Sequence, residues 1–334
     1  MAESGSDARN RRVKLLGILA FAAGAGLTIF LIVRAGLGPV ASALSNLGFV
    51  GLAIIALAHL PILGLLGAAW WSVARLSGVS LGRFIWARAV RDSAAEALPF
   101  SQVGGYLIGA RSLALAGADA ASAGVSTLVD LTVEFGTKIP YLLLGLLMLE
   151  RLIPNKAGVI AMIAIGLCLA ASALVLHPRA SSAPGRLLER LLSRWSSFAQ
   201  HRQRFLTILH QMTERRRALA PSAALHFASW VLGAGETWLI FHLMHARTGL
   251  GPALVIDSLV GGMRMLSFFV PGSIGVQEGG YVLLCGLFGL SPATALAFSF
   301  ARRARDLLIA TPILLSWQWH EARKILPPPT VPDA

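Results

Sequence analysis

The sequence predicts an all-α polytopic membrane protein with about six full transmembrane helices and two re-entrant hairpins. Only 13% of its 334 residues are charged and 55% are hydrophobic, whereas soluble domains carry roughly 25% charged residues. Apolar windows of about 20 residues, the length that crosses a bilayer as a helix, recur along the chain. They lie at 15–33, 49–72, 121–149, 157–176, 222–246 and 292–318. We expect one membrane domain over 1–326, with no separate soluble catalytic domain, and a disordered Pro-rich tail at 327–334.

The basic residues orient the chain in the membrane. The first apolar window follows a basic N-terminus and is not followed by a small-residue cleavage site, which indicates an uncleaved first span. With the N-terminus in the cytoplasm, the loop 177–221 and its nine arginines also fall inside, as do Arg323 and Lys324. This positive-inside distribution predicts that both termini are cytoplasmic. It accounts for the net charge of +13 without a nucleic-acid partner.

The loop 177–221 has a helical pattern of its own. In RLLERLLSRWSSFAQHRQRFLTILHQM, apolar residues recur at helical spacing and arginines fill the opposite face. A basic amphipathic helix of this kind can lie on the cytoplasmic leaflet, attracted by anionic headgroups. It can also dock on the protein's own helix bundle. The two arrangements are compatible, and the sequence leaves both open.

Two segments are interrupted by proline and glycine and do not read as simple spans. Segment 84–116 contains EALPFSQVGGYLIGAR, and segment 253–290 contains SFFVPGSIGVQEGGYVLL. The two resemble each other as repeats once a three-residue offset between the proline and the GGY triplet is allowed. The matched features are Pro99 with Pro271, Gly104-Gly105-Tyr106 with Gly279-Gly280-Tyr281, Asp92 with Arg264, Glu134 with Asp306, and Pro140 with Pro312.

We interpret each interrupted segment as a re-entrant hairpin, and the pair as an inverted repeat. One hairpin would enter from each side of the membrane, an architecture that recurs in secondary transporters. Backbone freed by proline and glycine is tolerated at that depth only where protein or a watery cavity satisfies it. The hairpin residues expected to line a substrate pathway are Pro99, Ser101, Gln102, Gly104, Gly105, Pro271, Gly272, Ser273, Gly275, Gln277 and Glu278.

Charged residues inside the apolar windows point to the same region. Asp130, Glu134 and Lys138 share one helical face at spacings of four residues. A lone charge at a helix centre costs at least about 2.5–3.5 kcal/mol, so these groups must pair or face water. Glu134–Lys138 and Arg302–Asp306 are either structural ion pairs or parts of the pathway. The remaining candidates are Arg264 and Arg305, with Glu236 interrupting the fifth span.

Glu278 admits two interpretations. A carboxylate near a helix N-terminus stabilises the helix dipole, and Ser273 would cap the helix that follows the break. A buried acid at a helix break can also exchange protons or hydrogen-bond a headgroup hydroxyl. Arg264 or Arg302 is its expected charge partner.

Enzyme and metal motifs do not occur in the sequence. It lacks H-E-x-x-H, G-x-G-x-x-G and the G-x-x-x-x-G-K-[ST] phosphate loop. We therefore expect no enzyme activity, no metal and no cofactor, and no direct use of ATP. Packing or interface roles are expected for Cys168, Cys285, His59, His226, His242 and His245.

The motifs also resemble a known family. VPGSIGVQEGG carries the P-G-x-x-G-x-x-E pattern of the flippase-like transmembrane domain of lysylphosphatidylglycerol synthases. LPFSQVGGYLIGAR, VDLTVEFGTKIPYLLLG and ARRARDLL are similar, more narrowly, to the hopanoid-biosynthesis-associated membrane proteins of that superfamily. The resemblance covers about residues 15–325 and implies a bacterial inner-membrane protein that moves lipid between leaflets or exports it. Relatives often carry an acidic residue where this chain has Gly105.

Three functions remain open at this stage. The first is a lipid transporter or flippase for a polar or hopanoid-type lipid, with half-helix N-termini near Ser101 and Ser273 aimed at a phosphate or hydroxyl. The second is an intramembrane enzyme that modifies a lipid headgroup, and the third is a scaffold for lipid-biosynthesis proteins. In each case the expected partners are membrane lipids, either hopanoids or anionic phospholipids.

Overall fold

The computed structural model describes residues 22–74, 76, 78–97, 102–153, 207, 216–267 and 271–325. All regular elements in these ranges are helical, which confirms the predicted all-α membrane fold. The helices are α1 (Ala22–Ala35), α2 (Leu37–Ala74), α3 (Leu81–Ala97), α4 (Gln102–Leu115), α5 (Ala120–Leu152), α6 (Arg216–Leu243), α7 (Leu250–Leu266), α8 (Val276–Leu287) and α9 (Pro292–Ile325), with a 3₁₀ turn at Pro271–Ser273.

Two of these helices are long and apolar enough to cross a membrane by themselves. They are α2 and α5, and α1 is a shorter apolar helix. The predicted windows 222–246 and 292–318 overlap α6 and α9. The window 157–176, most of the loop 177–221 and the tail 327–334 lie outside the described residues. The number of spans therefore stays a prediction.

Each Pro/Gly-interrupted segment forms two helices separated by a break. Segment 84–116 contains α3 and α4, and segment 253–290 contains α7 and α8. At the second break, Gly272, Ser273 and Gly275 have φ values of 58°, 48° and 82°. Positive φ is easily adopted by glycine and is uncommon for serine, so the chain turns here at the cost of some strain. Residues 98–101 at the first break, including Pro99 and Ser101, lie outside the described part of the chain.

The paired GGY triplets explain how both hairpins close. A Cβ atom added to Gly105 on α4 would lie 2.7 Å from the backbone oxygen of Arg91 on α3. A Cβ atom added to Gly280 on α8 would lie 2.9 Å from Sδ of Met263 on α7. Small residues let helix backbones approach closely where lipid provides no hydrophobic driving force. Close approach also explains why this chain has no acidic side chain at Gly105.

The packing of the long helices is that of an inverted repeat, in which α2–α5 correspond to α6–α9. Helices α2 and α6 pack against each other in opposite directions, because Leu47 shares a core cluster with Phe241 whereas Trp70 shares one with Leu219. Each hairpin packs on the other half of the molecule, since α3 contacts α9 and α7 contacts α5.

The helices that follow the hairpins, α5 and α9, also run in opposite directions. Along α5, Asp130 meets His226 and Tyr141 stacks on Trp230, so α5 runs with α6. Along α9, Phe298 stacks on Phe241 and Arg305 binds Glu236, so α9 runs against α6. Equivalent helices of opposite direction are the geometry expected of an inverted repeat.

Helix α1 lies against the second break. A Cβ atom added to Gly275 would lie 2.6 Å from Cα of Gly24 on α1. Two glycines therefore face each other where α1 crosses the turn between α7 and α8. This contact brings the N-terminal helix against the residues that the sequence marks as the hairpin tip.

Candidate functional site

The candidate site is a set of charged side chains inside the helix bundle. Its acids come from α3, α5, α6, α7, α8 and α9, and each lies within 4.0 Å of an arginine. They are Asp92, Glu96, Asp130, Glu134, Glu236, Asp257, Glu278 and Asp306. Paired charges of this kind meet the requirement that a membrane interior imposes on ionised groups.

The first group, named the α3–α5 cluster, comprises Arg88, Arg91, Asp130, Glu134 and His226. Arg88 donates to Glu134 Oε1 at 2.9 Å and to Asp130 Oδ2 at 3.3 Å. Arg91 donates to the same Asp130 oxygen at 2.8 Å. Of the two interpretations that the sequence left open for Glu134 and Lys138, an ion pair between them is contradicted, because Glu134 pairs with Arg88 and Arg91. Helix α3 crosses the face of α5 that carries Asp130 and Glu134. Because a guanidinium group has several N–H donors, Arg88 and Arg91 can each bind both carboxylates.

His226 also belongs to this cluster, so it makes a polar contact in addition to the packing or interface role expected from the sequence. Its Nε2 lies 3.0 Å from Asp130 Oδ1, and both side chains are fully buried. One ligand atom each from Asp130, Glu134 and His226 lie within 4.8 Å of one another, a spacing that could hold a metal ion. Arg88 and Arg91 already contact both carboxylates, so a divalent cation would meet two positive charges there. The donor set therefore fits a metal poorly.

Lys138 is held by aromatic rings. Its Nζ lies 3.4 Å from the ring centroid of Trp230 and 5.3 Å from that of Tyr141. Gly261 on α7 provides the space, since a Cβ atom there would come within 2.9 Å of Nζ. Ring faces attract cations through their negative quadrupole. Among the described residues, no carboxylate oxygen lies within 4 Å of this ammonium group.

The second group, named the Asp257 cluster, comprises Asp257, Tyr141, Thr237, Arg302 and Tyr281. Asp257 accepts hydrogen bonds from Arg302 at 2.7 Å, from Tyr141 at 2.8 Å and from Thr237 at 3.1 Å. Arg302 also donates to the Tyr281 hydroxyl at 3.1 Å. The ion-pair alternative for Arg302 and Asp306 is therefore contradicted, because Arg302 pairs with Asp257 on α7 and Asp306 pairs with Arg305.

Asp306 belongs to a third group, named the Glu236 cluster. Arg305 donates from Nε to Asp306 Oδ1 at 3.1 Å and also binds Glu236. His59 Nδ1 from α2 lies 3.0 Å from the other oxygen of Glu236. The two repeats are joined here, since His59 belongs to the first half of the chain and the other groups to the second.

Glu278 anchors the second break from within. It accepts from the Gly275 backbone N–H at 2.7 Å, from Ser299 at 3.0 Å and from Arg303 at 2.8 Å. The prediction that Arg264 or Arg302 is the charge partner of Glu278 is therefore wrong. Arg303 takes this role, and it also donates to the Gly272 carbonyl at 3.2 Å.

The N-cap of α8 also differs from the prediction. Gly275 occupies that position, whereas the Ser273 hydroxyl accepts from Ser267 at 3.1 Å. The carboxylate of Glu278 accepts a hydrogen bond from the Gly275 N–H, which has no partner within the helix, as in a capping box. An external phosphate aimed at this helix end would have to displace that carboxylate. Neighbouring Gln277 is buried and donates to Ser299 at 3.1 Å.

Arg264 connects the two hairpins. Its Nη2 donates to Glu96 Oε1 at 2.5 Å, and the side chains are 26% and 28% exposed. Glu96 stands at the end of α3 and Arg264 in the last turn of α7. The ion pair therefore lies where the first arms of the two hairpins end, and it is more accessible than the α3–α5 cluster.

Sequence reasoning found the acids on α5 and missed most of their partners. Gln102, Gly104 and Gly105 lie on the first turn of α4. The two glycines have no side chain and take no part in the ion pairs described above. The missed residues are Arg88, Arg91, Glu96, Tyr141 and Asp257. Arg88, Arg91 and Asp92 lie within five residues of a largely apolar sequence. This concentration of charge was a signal from which Arg88 and Arg91 could have been predicted.

Comparison with known proteins gives one result. Residues 16–313 match the family model described as the lysylphosphatidylglycerol synthase TM region. No curated protein and no solved structure matches the chain. The matched range contains both hairpins and the α3–α5, Asp257 and Glu236 clusters.

Proposed function

We propose that this chain, which belongs to the family of lysylphosphatidylglycerol synthase transmembrane regions, moves a polar lipid across the membrane. The family ties the protein to a function in membrane lipids, and transport between leaflets is the finer step that we add. The bacterial inner membrane, with both termini in the cytoplasm, is the location that we propose for it.

The observation that carries the proposal is the ion pair between Glu96 and Arg264. It links the first arms of two broken-helix hairpins, and both side chains are about one quarter exposed inside a helix bundle. Broken helices that meet between inverted repeats form the substrate site in many secondary transporters. A polar headgroup passing between the hairpins would meet this pair and the Asp257 cluster.

The paired charges also suit transport energetically. A headgroup brought into the bundle loses water and needs polar partners, and the clusters supply donors and acceptors that are already desolvated. Arginines with several donors can keep one carboxylate while they bind a second oxygen ligand. The protein would thus lower the barrier to headgroup passage without chemical change to the lipid, and we propose no enzyme activity and no cofactor.

The lipid and its partners remain part of the proposal. A hopanoid-type lipid and an anionic phospholipid are the two candidates, and association with lipid-biosynthesis proteins is a further expectation. The link to hopanoids rests on sequence resemblance in three motifs, LPFSQVGGYLIGAR, VDLTVEFGTKIPYLLLG and ARRARDLL.

The test is lipid movement by the purified full-length protein in liposomes. A fluorescent phospholipid is placed in both leaflets, and the fraction that becomes accessible to an external quencher is followed over time. We expect wild-type protein to expose the inner-leaflet label and Arg264→Gln to slow this exchange. The matched control is Arg111→Gln, since Arg111 pairs with Glu321 on the surface and is 55% exposed. Wild-type liposomes that behave like protein-free ones, for every lipid class tried, would refute transport.

A further inference from the structure

His59 connects the two halves of the inverted repeat through a contact that can change its protonation. It lies on α2, and its Nδ1 is 3.0 Å from Oε2 of Glu236 on α6. A carboxylate only accepts hydrogen bonds, so the neutral imidazole carries its proton on Nδ1 and donates it to Glu236. The lone pair of Nε2 then stays available, and no further hydrogen bond to this ring occurs in the described ranges. Histidine is the side chain that most readily gains and loses a proton between about pH 5 and pH 8.

The Glu236 cluster lacks one positive charge when His59 is neutral. It contains two carboxylates, Glu236 and Asp306, and both bind the guanidinium of Arg305. Among the described residues, neither acid lies within 4.0 Å of another arginine or of a lysine. The cluster therefore carries an excess negative charge, which is costly inside a membrane. A proton bound at Nε2 of His59 converts the ring to imidazolium and balances that charge.

The other charged groups near α2 are engaged elsewhere. Helices α3, α5, α6 and α9 pack against α2, and in the described part of the chain they bring Glu236, Arg305 and Asp306 to His59 or to its partner. Helix α5 meets α2 at Trp70, whose indole donates to Ser126 about three turns away from His59. The intramembrane acids of α3 and α5 are each bound by another arginine, and they are Asp92, Glu96, Asp130 and Glu134.

The exposed part of the Glu236 cluster indicates how a proton can reach it. The side chains of His59 and Asp306 are 18% and 19% exposed, whereas those of Glu236 and Arg305 are 3% exposed. An ionised acid that faced lipid would be too costly, so the exposed surface of Asp306 indicates that water reaches this cluster from within the bundle. A proton can thus arrive at His59 while Glu236 stays shielded.

A second histidine has the reciprocal position in the repeat. His226 lies on α6, the counterpart of α2, and its Nε2 is 3.0 Å from Asp130 in the other half. Each half therefore presents a histidine to an acid of the opposite half. His226 is fully buried, whereas His59 is partly exposed. In this conformation His59, and not His226, is the histidine that a proton can reach.

We infer that His59 is the proton-binding site that couples lipid movement to a proton gradient. This inference rests on the proposed function and names its coupling ion. With a proton on Nε2, the ring forms an ion pair with Glu236 and favours the conformation in which the two halves touch here. Release of that proton removes the ion pair and restores the excess negative charge, which favours separation of the halves. Because a ligand shifts an equilibrium toward the state that binds it better, proton binding and release can drive the motion.

The first test uses a proton gradient as the driving force. Full-length protein is placed in liposomes with a trace of fluorescent phospholipid, and the membrane potential is clamped with potassium and its ionophore. With one proton moved per lipid, a gradient of about one pH unit can hold up to about a tenfold excess of label in one leaflet. We expect this excess for wild-type protein, and an equal distribution for His59→Asn. Asparagine keeps an N–H donor for Glu236 but cannot take up the proton.

Two controls accompany this measurement. Protein-free liposomes correct for any effect of the gradient on the lipid itself. His320→Asn removes an exposed histidine near the end of α9 and should behave like wild type. Wild-type protein that moves the label but leaves it equally distributed under the gradient overturns the inference while transport stands.

The second test does not depend on lipid movement. The unfolding midpoint of the protein in detergent is measured between about pH 5 and pH 8 for wild type and His59→Asn. The ion pair with Glu236 exists only when His59 is protonated, so the advantage of wild type should be largest at low pH and shrink as the pH rises. His59→Arg keeps its charge throughout, and its difference from His59→Asn should not change with pH.

The two tests separate failure of the site from failure of the proposed function. If no lipid moves in any assay, transport fails, yet a pH-dependent advantage of wild type still supports His59 as the proton site. An advantage that is constant from low to high pH overturns the site, whether or not lipid moves.

Discussion

Glu96 and Arg264 are 168 residues apart in the chain, yet they form an ion pair at the ends of α3 and α7. Each belongs to a different half of the inverted repeat and to the first arm of a different hairpin. Their contact is thus a direct link between the two elements that an alternating-access motion would have to separate.

Charge reversal tests this link. We expect Glu96→Arg and Arg264→Glu each to slow lipid movement, because like charges then face each other between the hairpins. The double reversal should restore most of the rate. Since both side chains are partly exposed, the coupling free energy should be no more than about 1 kcal/mol. The measurement is a double-mutant cycle on transport rate and thermal midpoint. Additive effects would mean that the two residues act independently.

Neutralising Asp130 should destabilise the protein through the α3–α5 cluster. Asp130→Asn leaves Arg88, Arg91 and His226 with one carboxylate fewer in a fully buried position, and breaking a buried pair costs about 3–5 kcal/mol. We expect low protein yield and a lower unfolding midpoint in detergent. Adding Arg91→Met should recover part of the loss. The control on the same helix is Glu150→Gln, an exposed acid. Normal stability with lost transport would instead assign Asp130 to the pathway.

The hairpin glycines predict a steric effect. Gly105→Ala places a methyl group 2.7 Å from the Arg91 backbone oxygen and 2.9 Å from the Ala95 side chain. Backbone atoms cannot move aside as a flexible side chain does, so we expect a loss of about 1–3 kcal/mol of stability. Gly286→Ala, on α8, has no atom within 4 Å of the added Cβ and should be neutral or stabilising. Thermal unfolding of the two variants, compared with wild type, decides the matter; equal midpoints would contradict the tight packing of α3 and α4.

Glu278 and Arg303 should contribute jointly, not independently, to the free energy of unfolding. Glu278→Gln keeps an acceptor for the Gly275 N–H but removes the charge that holds Arg303. We expect a loss of about 1–3 kcal/mol in unfolding free energy, as for removal of a hydrogen bond to a charged group. Arg303→Gln should cost a similar amount, and the double variant little more than either alone. Wild-type stability together with abolished transport in Glu278→Gln would point instead to a direct role in the pathway.

The local features of the fold were predictable from the sequence. Proline and glycine at Pro271, Gly272 and Gly275 restrict the backbone by themselves, so the helix break was visible without tertiary information. The repeat alignment was visible for the same reason, because Gly105 and Gly280 are each required by close packing within their own hairpin.

The choice of ionic partners was not predictable in the same way. Spacing along one helix placed Glu134 and Lys138 on a common face and suggested that they pair. The actual partners of Glu134 are Arg88 and Arg91, which reach it only because α3 crosses α5. Arg303 likewise reaches Glu278 because α9 lies beside α8, a contact that depends on the arrangement of the whole bundle.

The contact between Gly24 and Gly275 constrains how the second hairpin can move. Helix α1 lies with its backbone against the turn, without an intervening side chain that could deform. The turn can therefore shift only if the N-terminal helix tilts or slides with it. Helix α1 therefore restrains the second hairpin. We expect a tag, a cross-link or a bound protein at the N-terminus to alter the rate at which that hairpin moves.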